Sequence, residues 1–207
     1  MKPGTHPQIA AMPGYRLYEY KLVISPHEEL AGRISDQREE FARNYKTRFP
    51  RGRRSPITLV QFTQYEMMEE KIRNRLRTIA MGYHPFRVEL RDFGSFPSHT
   101  IFIHVNSKLP IRQLVGELRS EGQRLLKADD THKPQFFPDP YICIATRLQP
   151  WQYEKAWLEY SQRHFSGRFL ADRMILLKRP EGELKYQVLD RMDFQNLPVS
   201  VRQGELF

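Results

Sequence analysis

The chain has 207 residues, 40% hydrophobic and 28% charged, a balance that excludes a disordered or fibrous protein and suits one large domain or two lobes sharing a core. No apolar run approaches the ~20 residues of a membrane helix, and none follows Lys2 to make a secretory signal. The net charge of +9 favours anionic partners, while the single cysteine excludes an internal disulfide and points to a cytoplasmic location.

Residues 1–14, with three prolines and two glycines, read as a flexible arm. YRLYEYKLVIS (15–25) alternates as a strand, with Leu17, Tyr20, Leu22 and Ile24 available for burial. In SPHEEL, Ser25 is an N-cap, Pro26 suits the first turn and Glu28 closes a capping box. That helix runs to about Tyr45 with Leu30, Ile34 and Phe41 inward. Five cations, one glycine and two prolines make 45–56 a loop. ITLVQF (57–62) is a strand. The second helix follows, with a capping box from Thr63 to Glu66, then Met68, Ile72, Leu76 and Ile79 at helical spacing, and Gly82 as C-cap. FRVELRDF (86–93) and HTIFIHV (99–105) are strands joined by GSFPS. Pro110 opens a third helix with Ile111, Leu114, Val115, Leu118 and Leu125 inward, weakened by Gly116 and Gly122. Residues 127–140 are loop, and a strand is entered through Pro140. Residues 150–162 form a fourth helix with Tyr153, Trp157 and Tyr160 on one side. Strands 169–179 and 183–194 form a hairpin around PEGE. Residues 195–207 are a tail without a pattern.

This order is α+β with mostly antiparallel pairing. PITLVQF, a helix and two strands are echoed by YICIATRL, a helix and two strands. Two similar lobes are therefore expected within a single domain spanning 15–194. On an extended strand Tyr141 and Cys143 leave the same face.

SPITLVQF before the second helix, FGSFPSHTIFIHV in mid-chain, DPYICIATRL and DRMILLKR resemble the motifs of the two-histidine (2H) phosphoesterase superfamily. That superfamily includes the bacterial 2′-5′ RNA ligases and the RNA 2′,3′-cyclic phosphodiesterases. The resemblance covers roughly residues 16–194. It implies a two-lobed, pseudo-symmetric fold with antiparallel sheets around a central cleft and helices outside. It also implies a site without metal or cofactor, where two His-x-Thr/Ser motifs on adjacent central strands act on a phosphodiester. One imidazole is base and the other acid, since imidazole titrates at roughly pH 6.5. The hydroxyls donate to the phosphate oxygens. On that pattern the first histidine position falls on Pro56, with Thr58 as its hydroxyl partner. The second falls on Tyr141, with Cys143 at the hydroxyl position.

Proline has no titratable group. A tyrosine shuttling protons at neutral pH needs its pKa lowered by about three units from ~10, roughly 4 kcal/mol of differential stabilisation. The expected function is therefore non-catalytic: binding of RNA, a nucleotide or a small phosphorylated ligand at Thr58, Tyr141 and Cys143. The basic loop with Lys46, Arg48, Arg51, Arg53 and Arg54 would draw in the anion. The rival readings are an active cyclic phosphodiesterase or RNA ligase-type enzyme using substitute groups, with Cys143 a candidate nucleophile, and a protein-interaction scaffold whose cleft is filled by side chains. Tyr141 is either a ligand contact or cavity filler. Phe49, Phe136 and Phe137 could stack on bases, and Lys178 and Arg179 are further cationic candidates. His99 adjoins Thr100, so the two point apart on a strand. No histidine pair has metal-ligand spacing, and no zinc site is expected.

Overall fold

The computed structural model describes residues 14–47 and 56–197. Arg48, Phe49, Arg51, Arg53 and Arg54 of the basic loop, the arm 1–13 and the tail from 198 lie outside the described residues. The chain runs β1 (Leu17–Ile24), α1 (Glu28–Tyr45), β2 (Ile57–Tyr65), α2 (Glu69–Gly82), β3 (Phe86–Phe96), β4 (Thr100–Val105), α3 (Lys108–Leu126), β5 (Gln135–Phe136), β6 (Tyr141–Thr146), α4 (Pro150–Tyr160), β7 (Ser166–Ala171), β8 (Arg173–Pro180) and β9 (Gln187–Asp193). The strands form two sheets, ordered β5-β2-β1-β8-β9 and β6-β4-β3-β7, with every pairing antiparallel. This is the α+β class expected from the sequence.

Each sheet carries helices on one face. In the first, Tyr20, Leu22, Val60, Phe62 and Leu176 are buried, and α2 and α3 pack against β9 and β2. In the second, Ile101, Ile103, Val105, Ile142 and Ile144 are buried, and α1 and α4 pack against it. Burying one such side chain fully is worth about 1.5–3 kcal/mol. The helices are exchanged between the sheets. α1 connects two strands of the first sheet yet packs on β6 and β7 of the second. α3 leaves the second sheet at β4 and packs on β2 of the first. A glycine makes one of these dockings possible: a Cβ on Gly167 would lie 2.5 Å from Leu30 Cδ1 of α1.

Several boundaries differ from expectation. The Ser25 hydroxyl bonds the Pro26 carbonyl, so His27 becomes the N-cap, without a side-chain bond. β1 pairs with β2 as far as Tyr65, which overrides the capping box expected at Thr63; a short 3-10 turn, Glu66–Met68, then leads into α2. α2 ends on an extended Tyr83 with no left-handed cap at Gly82. β3 continues to Phe96, so the β3–β4 turn narrows to 97–99. α3 begins two residues before Pro110, which is tolerated in a first turn whose N–H groups lack helical partners. Leu126 enters the core more fully than Leu125. The loop expected over 127–140 contains β5. The strand expected over 169–179 is two strands in different sheets: β7 pairs with β3, and β8 with β1. The change falls at Asp172, whose carbonyl accepts the Phe194 N–H at 2.8 Å.

Candidate functional site

The second sheet presents Tyr141 and Cys143 on the face its helices leave open. Exposure alternates along β6: Tyr141 is exposed, Ile142 buried, Cys143 half-buried and Ile144 buried. Tyr141 stands opposite His104 and Cys143 opposite Phe102. The Tyr141 ring lies 4.9 Å from Phe102 and 5.1 Å from Phe96, and Phe96 and Phe102 are 4.8 Å apart. Gly94 of β3 faces Phe102 of β4, and a Cβ there would overlap the His104 ring and come within 2.7 Å of the Phe102 ring. The rings thus lie over bare backbone. Tyr141 and Phe96 are each 40% exposed, so the aromatic patch is open rather than a filled interior.

Burial works against the charged form of both groups on β6. Burial pushes the Tyr141 hydroxyl above its ordinary pKa, and Cys143 acts in the same direction. Burial also pushes the Cys143 thiol up, against a smaller opposing pull from Arg38. Arg38 reaches from α1, and its Nε donates to the Cys143 carbonyl at 2.8 Å.

The first sheet presents Thr58 on its own helix-free face. Pro56 immediately precedes β2. A bulge between Leu22 and Val23 sets Thr58 opposite Val23. The same face carries Gln61 opposite Lys21, and Thr63 opposite Glu19, which faces Arg179 on β8. The Glu19 carboxylate accepts from Arg179 Nε at 2.9 Å and from the Tyr186 hydroxyl at 3.2 Å. Lys21 Nζ lies 4.9 Å from the centre of the Tyr186 ring. Burial lowers the Lys21 pKa, Arg179 lowers it further, and Glu19 opposes them.

The two motif strands are tied through a short link. The Phe137 N–H donates to the Leu59 carbonyl at 2.9 Å, and Phe136 pairs with Val60. Tyr141 begins β6 four residues after Phe137, and four residues reach at most about 14 Å. The remaining sequence candidates are dispersed. Lys178 points to the helical side, with Nζ 3.0 Å from Glu66 and 2.5 Å from Glu69. Arg179 is engaged by Glu19. Phe136 lies beneath Arg119, and His99 Nδ1 sits 3.0 Å from the Pro97 carbonyl in an exposed turn. Arg51, Arg53, Arg54 and Phe49 are outside the described residues.

Sequence reading missed Lys21, Arg38, Gln61 and Thr63. Lys21 and Gln61 had a signal, as polar positions within strands expected from the sequence; Thr63 had a misleading one, because its capping-box pattern points to a helix start while β2 continues to Tyr65. Arg38 had none, because its contact with β6 depends on how α1 crosses the second sheet.

A family model described as the 2′-5′ RNA ligase superfamily matches residues 26–183. No protein with a curated description matches the sequence. Among solved structures, TT0787 of Thermus thermophilus is similar with a TM-score of 0.60 and 18% identity, over 86% of this chain and 98% of that one. Escherichia coli LigT complexed with phosphate is similar with a TM-score of 0.56 and 17% identity, over 86% of this chain and 98% of that one. LigT complexed with 3′-AMP has a TM-score of 0.53 and 14% identity, with the same coverage of 86% and 98%. At these identities the likeness is one of fold.

Proposed function

Because the chain belongs to the 2′-5′ RNA ligase superfamily, we propose that it binds a nucleotide, an RNA end or another phosphorylated ligand in the cleft between its sheets, without the superfamily's two-histidine chemistry. The observation that carries this reading is Tyr141. It occupies the second histidine position of the resemblance, and its surroundings move its pKa away from neutrality. With Pro56 at the first position, neither of the two positions that carry histidine in the resemblance holds a group that gives and takes a proton near pH 7; the neighbouring imidazole is His104 of β4, opposite Tyr141. Thr58 keeps a hydroxyl for a phosphate oxygen, and the Tyr141, Phe96 and Phe102 rings suit a base. LigT complexes with 3′-AMP, phosphate and ATP support ligands of this class. The exposure of Tyr141 and Phe96 favours a ligand site over a packed scaffold.

In this reading the protein works as one two-lobed unit over 15–194, flanked by the arm and the tail. The exchange of α1 and α3 between the sheets supports that unit. Among the described residues, no helix is long and apolar enough to cross a membrane; the cytoplasm is the proposed location.

The test is incubation of purified protein with nucleoside 2′,3′-cyclic phosphates and 2′-5′-linked oligonucleotides. No turnover is expected. Turnover abolished by Tyr141→Phe or Cys143→Ser would overturn the reading. Single-stranded RNA binding that weakens with salt, and weakens again when Arg51, Arg53 and Arg54 are replaced, identifies RNA as the ligand.

A further inference from the structure

Four polar side chains stand together on the open face of the first sheet: Lys21, Thr58, Gln61 and Thr63. All four are half-buried. Among the described residues, none of them has a hydrogen bond or ion pair. Among the described residues the fully buried side-chain polar atom without a partner is the Tyr160 hydroxyl, so these four polar groups reach water and are free to exchange it for a ligand.

The cation in this row is the most exceptional member. The nearby carboxylate, Glu19, is occupied by Arg179 and Tyr186. Lys21 therefore lies over the Tyr186 ring, beside a guanidinium, sharing the Glu19 charge with Arg179 but making no ion pair among the described residues. An oxyanion would supply that ion pair and accept from the neighbouring hydroxyl and amide at once. A lysine is a compact point charge well suited to a phosphate group.

We infer that Lys21 anchors the phosphate group of the ligand, with Thr58 and Gln61 donating to its oxygens. This rests on the reading of the cleft as a ligand site and adds to it a residue outside the two motifs. The site takes a phosphate ester on the first sheet, and the aromatic patch of the second sheet is left for the rest of the ligand.

The experiment is calorimetric titration of the full chain and of Lys21→Met and Lys21→Arg with 3′-AMP, with inorganic phosphate as competitor. Lys21→Met should weaken 3′-AMP binding about tenfold to hundredfold, the loss of one charged hydrogen bond worth ~1.5–3 kcal/mol at 1.4 kcal/mol per tenfold. Lys21→Arg should retain most of the affinity, and phosphate should displace 3′-AMP from the unaltered protein. If 3′-AMP binds the unaltered protein and Lys21→Met equally well, or if phosphate fails to compete, the inference is overturned while the ligand reading stands. If the unaltered protein binds no 3′-AMP, the ligand reading fails and the inference with it.

Discussion

Tyr141 and Cys143 share a face two residues apart, and burial pushes the pKa of both upward. For Cys143 the consequence is kinetic. Only the thiolate attacks an electrophile, and a pKa raised by burial lowers the thiolate fraction at every pH below it. Alkylation of Cys143 by iodoacetamide between pH 6 and 10 should therefore be slower at pH 7–8 than that of a free thiol of pKa ~8.5, with its inflection at higher pH. A neutral-pH rate above that of the free thiol would restore Cys143 as a candidate nucleophile. Sequence reading placed this pair on one face correctly, because strand alternation is a local property. It could not assign their protonation, which depends on burial and on Arg38 arriving from another element. The polar face with Lys21 was also within reach, since Glu19 and Lys21 alternate with Tyr20 and Leu22.

At the scale of elements, helix exchange binds the molecule together. α1 leaves the first sheet, lays Leu30 on Gly167 of β7 and extends Arg38 to the carbonyl of Cys143 on β6. It thereby contacts both edge strands of the second sheet. A methyl group at Gly167 has no room beside Leu30, which is 2% exposed. Gly167→Ala should destabilise the protein by about 1–3 kcal/mol through overpacking, measured as a lower urea midpoint at unchanged slope. Restoring space with Gly167→Ala combined with Leu30→Val should recover part of that loss, and no destabilisation by the single change would mean that α1 is not seated on this glycine. The four helices were legible in the sequence from their apolar spacing. Their starting points were less so: at Thr63 a good cap sequence lost to strand pairing, and at Ser25 the hydroxyl turned to the Pro26 carbonyl. The break at Asp172 left a trace in the sequence. The buried positions fall on odd numbers at Phe169 and Ala171 and on even numbers at Met174 and Leu176. A single strand cannot bury both sets on one face. Which sheet each half joins is a long-range matter that no local pattern carries.

For the whole molecule, the fold is that of the 2′-5′ RNA ligase superfamily, and the proposed function is binding without the two-histidine chemistry. The two-sheet architecture was readable through the motif strands and their echo. The partition of strands was not, because β7 and β8 are adjacent in sequence and belong to different sheets. The account predicts that recognition and turnover separate: the ligand is held by Lys21, Thr58 and an aromatic patch, and its phosphodiester stays intact. Phosphorus NMR of a nucleoside 2′,3′-cyclic phosphate with an equimolar amount of protein at neutral pH observes both properties in one sample. The predicted result is a shifted or broadened cyclic-phosphate resonance that persists with no monoester signal over many hours. A growing 2′- or 3′-monophosphate resonance that Tyr141→Phe abolishes would contradict the account.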